Sequence, residues 1–214
     1  MGGHCERTWP WGLLTECPGP GNLRVMEMDD HTRLKTLLVE RSVRLGDFAL
    51  AGGARSMYYV DVRRTTMSAE GQALVGKLGW TRVGQRSLGI THVGGLTMGA
   101  DPVAYAIAHS SWLDGHPVDA FSVRKKTKEH GLGQRIEGGL PSDARCLVVE
   151  DVMTSGRSAM QAITAVRAHG ATVAAVFTVV DREEGAGALM EAEGVPVLTL
   201  FTGRELLEAA RESA

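Results

Sequence analysis

Three short, nearly unbroken apolar runs, Cys146–Glu150, Val173–Val180 and Val195–Phe201, recur in this chain at intervals about one helix long. A strand wet on one side alternates polar and apolar residues, whereas one that is apolar at every position must be covered on both faces. Parallel strands covered on both faces are joined by crossover helices, so the pattern predicts an α/β fold: a central, mostly parallel five-stranded sheet flanked by helices. Ile90–Gly94 and Val118–Val123 supply the other two strands. Between them the sequence predicts a helix over Pro102–Trp112, opened by Asp101 at its N-cap and Pro102 in its first position. Ala159, Ile163 and Val166 give an inward face to the helix after Cys146–Glu150.

Upstream, Leu34, Leu37, Leu38 and Leu45 fall on one helical face, predicting a helix from Asp29 that stops at Gly46. A turn-rich GDFALAGG, a β-rich Met57–Val62 and a helix over about 69–80 follow, which together make a small N-terminal hood region. Residues 1–28 carry Pro10, Pro18 and Pro20 and no sustained period. They are expected to be a disordered, non-core extension, with the working start at Met26 or Met28 and one folded domain over 29–214.

Composition narrows the partners. With 23 Lys and Arg against 25 Asp and Glu, the net charge of -2 gives no overall field toward nucleic acid or an anionic membrane. The longest uncharged apolar stretch, Ala171–Val180, is about half of what a bilayer-spanning helix needs. Cys5, Cys17 and Cys146 form neither an even disulfide set nor a paired metal knuckle. A cytoplasmic protein with neither nucleic acid nor membrane as a partner is expected.

Ligands of open parallel sheets bind beyond the carboxyl ends of the strands. One such junction stands out: Leu147–Ser158, LVVEDVMTSGRS, runs from a strand through Glu150 and Asp151 into a Thr/Ser/Gly turn that opens a helix. Backbone N–H groups of Ser155–Ser158, aided by Gly156 and the helix dipole, can converge on a phosphate. Neither a G-x-x-x-x-G-K-[ST] loop nor a G-x-G-x-x-G following a strand is present. An anion site gains nothing from adjacent acids, so Glu150 and Asp151 point to ribose hydroxyls; the competing reading is an acid pair that only caps the next helix. The residues alone leave the two balanced.

The segment RKKTKEHGLGQRIEGG is too polar for any core. Arg124, Lys125, Lys126, Lys128 and His130, followed by Gly131 and Gly133, suit a loop that closes over a diphosphate, a merely solvated charge run on a surface loop, or a nucleic-acid patch. Arg182, directly after a strand, can grip a carboxylate with two hydrogen bonds or simply pair with Glu183 or Glu184. The glycines of Gly94–Ala104, with Thr97, allow close approach to a diphosphate or make a tight turn. Tyr58 and Tyr59 read as strand core, Tyr59 the more so; His92, His109 and His169 read as surface or strand-end residues without ligand spacing.

VVEDVMTSG, Val148–Gly156, resembles the motif by which type I phosphoribosyltransferases bind 5-phosphoribosyl 1-diphosphate. Phe121–Gly131, Gly94–Ala104 and Val179–Gly185 resemble the orotate phosphoribosyltransferases in particular, and with Phe48–Thr66 the similarity runs from about Asp29 to the end. The resemblance implies the reaction of orotate with 5-phosphoribosyl 1-diphosphate, giving orotidine 5′-phosphate and diphosphate in pyrimidine biosynthesis. It also implies Mg2+ carried mainly by the substrate, and a homodimer with shared active sites. Arg124, Lys125, Lys128 and His130 would bind the diphosphate, with Lys128, Arg124 and Asp151 catalytic. Glu150, Asp151, Val152, Met153, Thr154, Ser155, Gly156, Arg157 and Ser158 would hold the ribose 5-phosphate, and Thr154, Arg182, Tyr58 and Tyr59 the orotate. Ala51 and Gly52 depart from the pattern, in which many bacterial members carry a lysine at the first of these places. A purine or uracil phosphoribosyltransferase would have no use for Arg182 as a carboxylate clamp; a sensor that had lost catalysis could dispense with the basic loop.

Overall fold

The structure, a computed structural model, describes residues 29–49, 55–125 and 135–213. The expectations for residues 1–28 and for Ala51, Gly52, Lys126, Lys128, His130, Gly131 and Gly133 lie outside the described residues. In chain order the elements are α1 (Asp30–Ser42), β1 (Val43–Ala49), β2 (Arg55–Val60), α2 (Arg63–Thr66), α3 (Ala69–Gly84), β3 (His92–Leu96), α4 (Ala100–Leu113), β4 (Asp119–Val123), β5 (Ile136–Glu137), β6 (Arg145–Met153), α5 (Arg157–Ala168), β7 (Thr172–Asp181), α6 (Ala186–Ala192), β8 (Val197–Thr202) and α7 (Gly203–Glu212).

The unbroken apolar runs feed two cores at once. In β6, Leu147 and Val149 pack with α1, α3, α4 and α7 on one face, while Cys146 and Val148 pack with α5 and α6 on the other. Strand side chains alternate faces, so covering both requires the continuous pattern read in the sequence. The sheet order is β5-β4-β3-β6-β7-β8. Five strands are parallel, as expected; β5 adds a two-residue antiparallel edge beside β4.

Several boundaries differ from the sequence reading. The first helix ends at Ser42, not Gly46, because Val43–Ala49 becomes a strand paired antiparallel with β2, and Leu45 lies on that hairpin, 43% exposed. The stretch expected to be turns is thus partly strand. Helix α4 starts earlier than expected, with Gly99 at its N-cap. The Asp101 carboxylate, expected to cap it, instead accepts hydrogen bonds from the Thr97 hydroxyl (2.6 Å) and the Ser122 hydroxyl (2.7 Å). The C-terminal helix α7 was not anticipated; a capping box between Thr202 and Glu205 opens it.

Candidate active site

Strand β6 runs on to Met153, so the acid pair lies inside the strand rather than beyond it. Thr154 and Ser155 then lead to Gly156, whose left-handed φ of 74° only glycine adopts freely, and α5 starts at Arg157 with no side-chain cap bond. The first N–H groups of α5 therefore lie just beyond the carboxyl end of β6 without a side-chain cap, where the helix dipole favours an anion. Met153 is fully buried in the core and its carbonyl accepts the Arg182 N–H at 2.9 Å, so its side chain belongs to the packing beneath the turn.

The acids line a cleft of about 250 Å³, together with Tyr59, Asp61, Arg63, Thr97, Gly99, Lys125, Val152 and Ser158. Glu150 is only 8% exposed. Burial first, and the neighbouring Asp151 charge second, push its pKa from 4.5 up to about 8, so near neutral pH it holds a proton. Asp151 is half-buried, and its pKa too is raised by burial, against the pull of backbone N–H groups and of Arg63. Arg63, held by Asp61 at 2.8 Å, escaped the sequence reading: only folding the hood over the sheet end brings it to Asp151.

The glycines within β3 serve packing more than ligand approach. A Cβ on Gly94 would lie 2.2 Å from the Phe121 carbonyl oxygen, and one on Gly95 equally close to that of Val149. Gly99 differs: its Cβ would meet Asp151 Oδ1 at 2.4 Å. A carboxylate tip can move where backbone cannot, so Gly99→Ala is expected to leave the melting temperature within about 3 °C while lowering kcat/KM roughly tenfold. Thermal unfolding and steady-state rates on the same preparation check both halves.

Of the expected diphosphate residues, Arg124 and Lys125 lie at the base of the basic segment. The Arg124 amide donates to the Arg135 carbonyl at 2.9 Å and its guanidinium to Glu137 at 3.3 Å, so the β4–β5 pairing ties both ends of the segment together. Lys125 is exposed at the cleft.

Arg182 follows β7, one strand away from the acid pair. Its side chain is 9% exposed, lies 4.7 Å over the Tyr58 ring and pairs with Glu184 at 2.8 Å. Tyr58 is half-buried between Arg182 and the core, whereas Tyr59, read as the more core-like, is 41% exposed and faces the cleft. His92 is the first residue of β3, one of the two places read for it, and is buried there; His109 is exposed, and the half-buried His169 ring lies 2.6 Å from the Leu140 carbonyl oxygen. No cluster of three or more His, Cys, Asp or Glu that could cage a metal occurs among the described residues. Burial pushes the Cys146 thiol up to about 12, which leaves it protonated and unreactive. No described helix is long and apolar enough to cross a membrane.

A larger cavity, about 830 Å³, opens around Trp80, Asp114 and His116, at the amino end of the parallel strands where this architecture places no chemistry. The carboxyl end instead carries the buried Glu150 beside the half-buried Asp151, a helix-opening turn suited to an anion and the root of a basic segment; a fold and site of this kind define a phosphoribosyl-transferring domain. A family model described as the phosphoribosyl transferase domain matches residues 70–191. An orotate phosphoribosyltransferase of Aquifex aeolicus (strain VF5) is 44% identical over 185 residues, spanning 85% of this chain and 100% of that protein. Two crystal structures of the Mycobacterium tuberculosis H37Rv orotate phosphoribosyltransferase superpose closely. That with Fe(III) dicitrate has a TM-score of 0.73 at 44% identity, covering 83% of this chain and 99% of the other. That with 5-phospho-alpha-D-ribosyl 1-diphosphate has a TM-score of 0.69 at 39% identity, with the same coverage. The chain belongs to the orotate phosphoribosyltransferase family.

Proposed function

We propose that this chain transfers ribose 5-phosphate from 5-phosphoribosyl 1-diphosphate to orotate, releasing diphosphate and forming orotidine 5′-phosphate for de novo pyrimidine synthesis. The observation that carries the reading is the convergence of the Glu150–Asp151 pair, the Gly156 turn and Lys125 at the carboxyl end of the parallel strands, with Arg182 one strand away. Displacement at the anomeric carbon builds positive charge on the ribose and negative charge on the leaving group, so the residues work by positioning and by charge.

The turn Thr154–Ser158 holds the 5-phosphate, and Glu150 and Asp151 hold the ribose hydroxyls, Glu150 as a neutral acid that can donate as well as accept. Val152 forms part of the cleft wall. Arg124 and Lys125, with Lys128 and His130 from the loop, take up the charge of the departing diphosphate. Arg182 grips the orotate carboxylate while Tyr58, Tyr59 and Thr154 frame its ring. A magnesium ion would fit this arrangement as an ion that arrives with the substrate, with Asp151 the more open carboxylate of the pair to face it, and when bound it would supply neutralisation of the leaving group.

The active form is a homodimer in the cytoplasm. In support, α4 and the loop before it expose Met98, Tyr105, Trp112 and Leu113 at 51% or more, and Tyr105 and Trp112 stand two helical turns apart on one face. Arg182→Ala tests the acceptor assignment: the KM for orotate should rise on the order of 100-fold while that for 5-phosphoribosyl 1-diphosphate stays within about threefold. Equal weakening toward both substrates would refute the clamp.

A further inference from the structure

We infer that Glu184 is a built-in rival for the acceptor's carboxylate, occupying the Arg182 guanidinium until a carboxylate-bearing substrate displaces it; this rests on the reading of Arg182 as the orotate clamp. The side-on edge of the guanidinium presents Nε and Nη2 together, the fork that a planar carboxylate fits with two hydrogen bonds. Glu184 uses only half of it. One of its oxygens lies 2.8 Å from Nη2, which also donates to the Ser56 hydroxyl at 3.3 Å, while Nε is buried with no hydrogen-bond partner. A buried donor left unpaired is unfavourable, so a ligand whose two oxygens reach both nitrogens gains what Glu184 does not supply.

The turn that brings Glu184 back to Arg182 is itself fixed. Glu183 adopts a φ of 58°, its amide donates to the Asp181 carboxylate at 2.8 Å, and its own carboxylate is held by Arg204 of α7 at 2.6 Å. Two adjacent acids thus have separate partners: Glu183 is tied to α7, and Glu184 alone stands over the clamp. Its side chain is 41% exposed, so it can swing into water when displaced, whereas the 9% exposed Arg182 stays in place over Tyr58. Orotate entry then exchanges one carboxylate for another with no net change of charge around a nearly buried cation. An acceptor without a carboxylate cannot drive the exchange, which makes Glu184 a specificity-determining residue.

The test is steady-state kinetics on Glu184→Gln, Arg182→Ala and the double variant, with melting temperatures confirming folded protein. Glu184→Gln keeps the shape and removes the competing charge, so the KM for orotate should fall about fivefold, with kcat and the KM for 5-phosphoribosyl 1-diphosphate within about twofold. In the Arg182→Ala background the same change should have no effect on orotate. An unchanged or raised KM for orotate in Glu184→Gln overturns the proposal, as does an equal fall in both backgrounds, which would mean that Glu184 repels the anion without using Arg182. If Arg182→Ala itself leaves the orotate KM unchanged while Glu184→Gln lowers it, the clamp reading fails instead.

Discussion

Asp151→Asn should lower kcat/KM by about 100-fold or more with little change in melting temperature, because the half-buried Asp151 lines the cleft and its charge faces Arg63 rather than the core. Glu150→Gln should behave in the opposite way. Its native counterpart already carries a proton near neutral pH, so the neutral amide imitates it and activity at pH 7 should stay within about tenfold of the parent. The pH dependence follows from the sign of the shift. The unfolded chain releases the Glu150 proton above about 4.5, whereas the folded chain keeps it until about 8, so this group's contribution to stability is full below 4.5 and is lost as the pH rises to 8. Glu150→Gln removes that loss. Its melting temperature relative to the parent should climb between pH 5 and 8, by roughly 5 °C or more, and then level off. A difference that does not vary with pH would show that Glu150 ionises normally in the folded protein.

Mixing two inactive chains should restore activity. If Lys128 of one subunit serves the site built on Asp151 of the other, a heterodimer of Lys128→Ala with Asp151→Asn puts both defects into one site and leaves its second site whole. Random exchange places half of the chains in heterodimers, so about a quarter of the parent's specific activity should return. The physical reason is the charge of the segment: cations at Lys125, Lys126 and Lys128 lower the barrier only where they meet a diphosphate, and Lys125, at its base, already lines the cleft. Proven subunit exchange without recovered activity would assign Lys128 to its own subunit.

How much of this is legible in the sequence depends on whether the cause is local. The sheet is legible because burying both faces of a strand leaves a mark in that strand alone, as in Leu147–Glu150. The turn into α5 is legible for the same reason, since Gly156 and the small hydroxyl residues act through their own backbone. The end of the first helix is not: Leu45 keeps the helical spacing, but pairing between Val43–Ala49 and β2 overrides it. The raised pKa of Glu150 and the reach of Arg63 to Asp151 arise from tertiary packing, which leaves no sequence period. Asp101 shows the limit from the other side: its N-cap signal is genuine chemistry, yet the hydroxyls of Thr97 and Ser122 claim the carboxylate first.

The most direct measurement is the initial rate of acceptor consumption by the full chain with 5-phosphoribosyl 1-diphosphate and magnesium, taking orotate, uracil and hypoxanthine in parallel. Orotate absorbance should fall with time and in proportion to enzyme, with one diphosphate released per orotate consumed, while uracil and hypoxanthine react at least about 100-fold more slowly because neither can engage Arg182 through a carboxylate. Steady orotate absorbance alongside conversion of uracil or hypoxanthine would contradict the account.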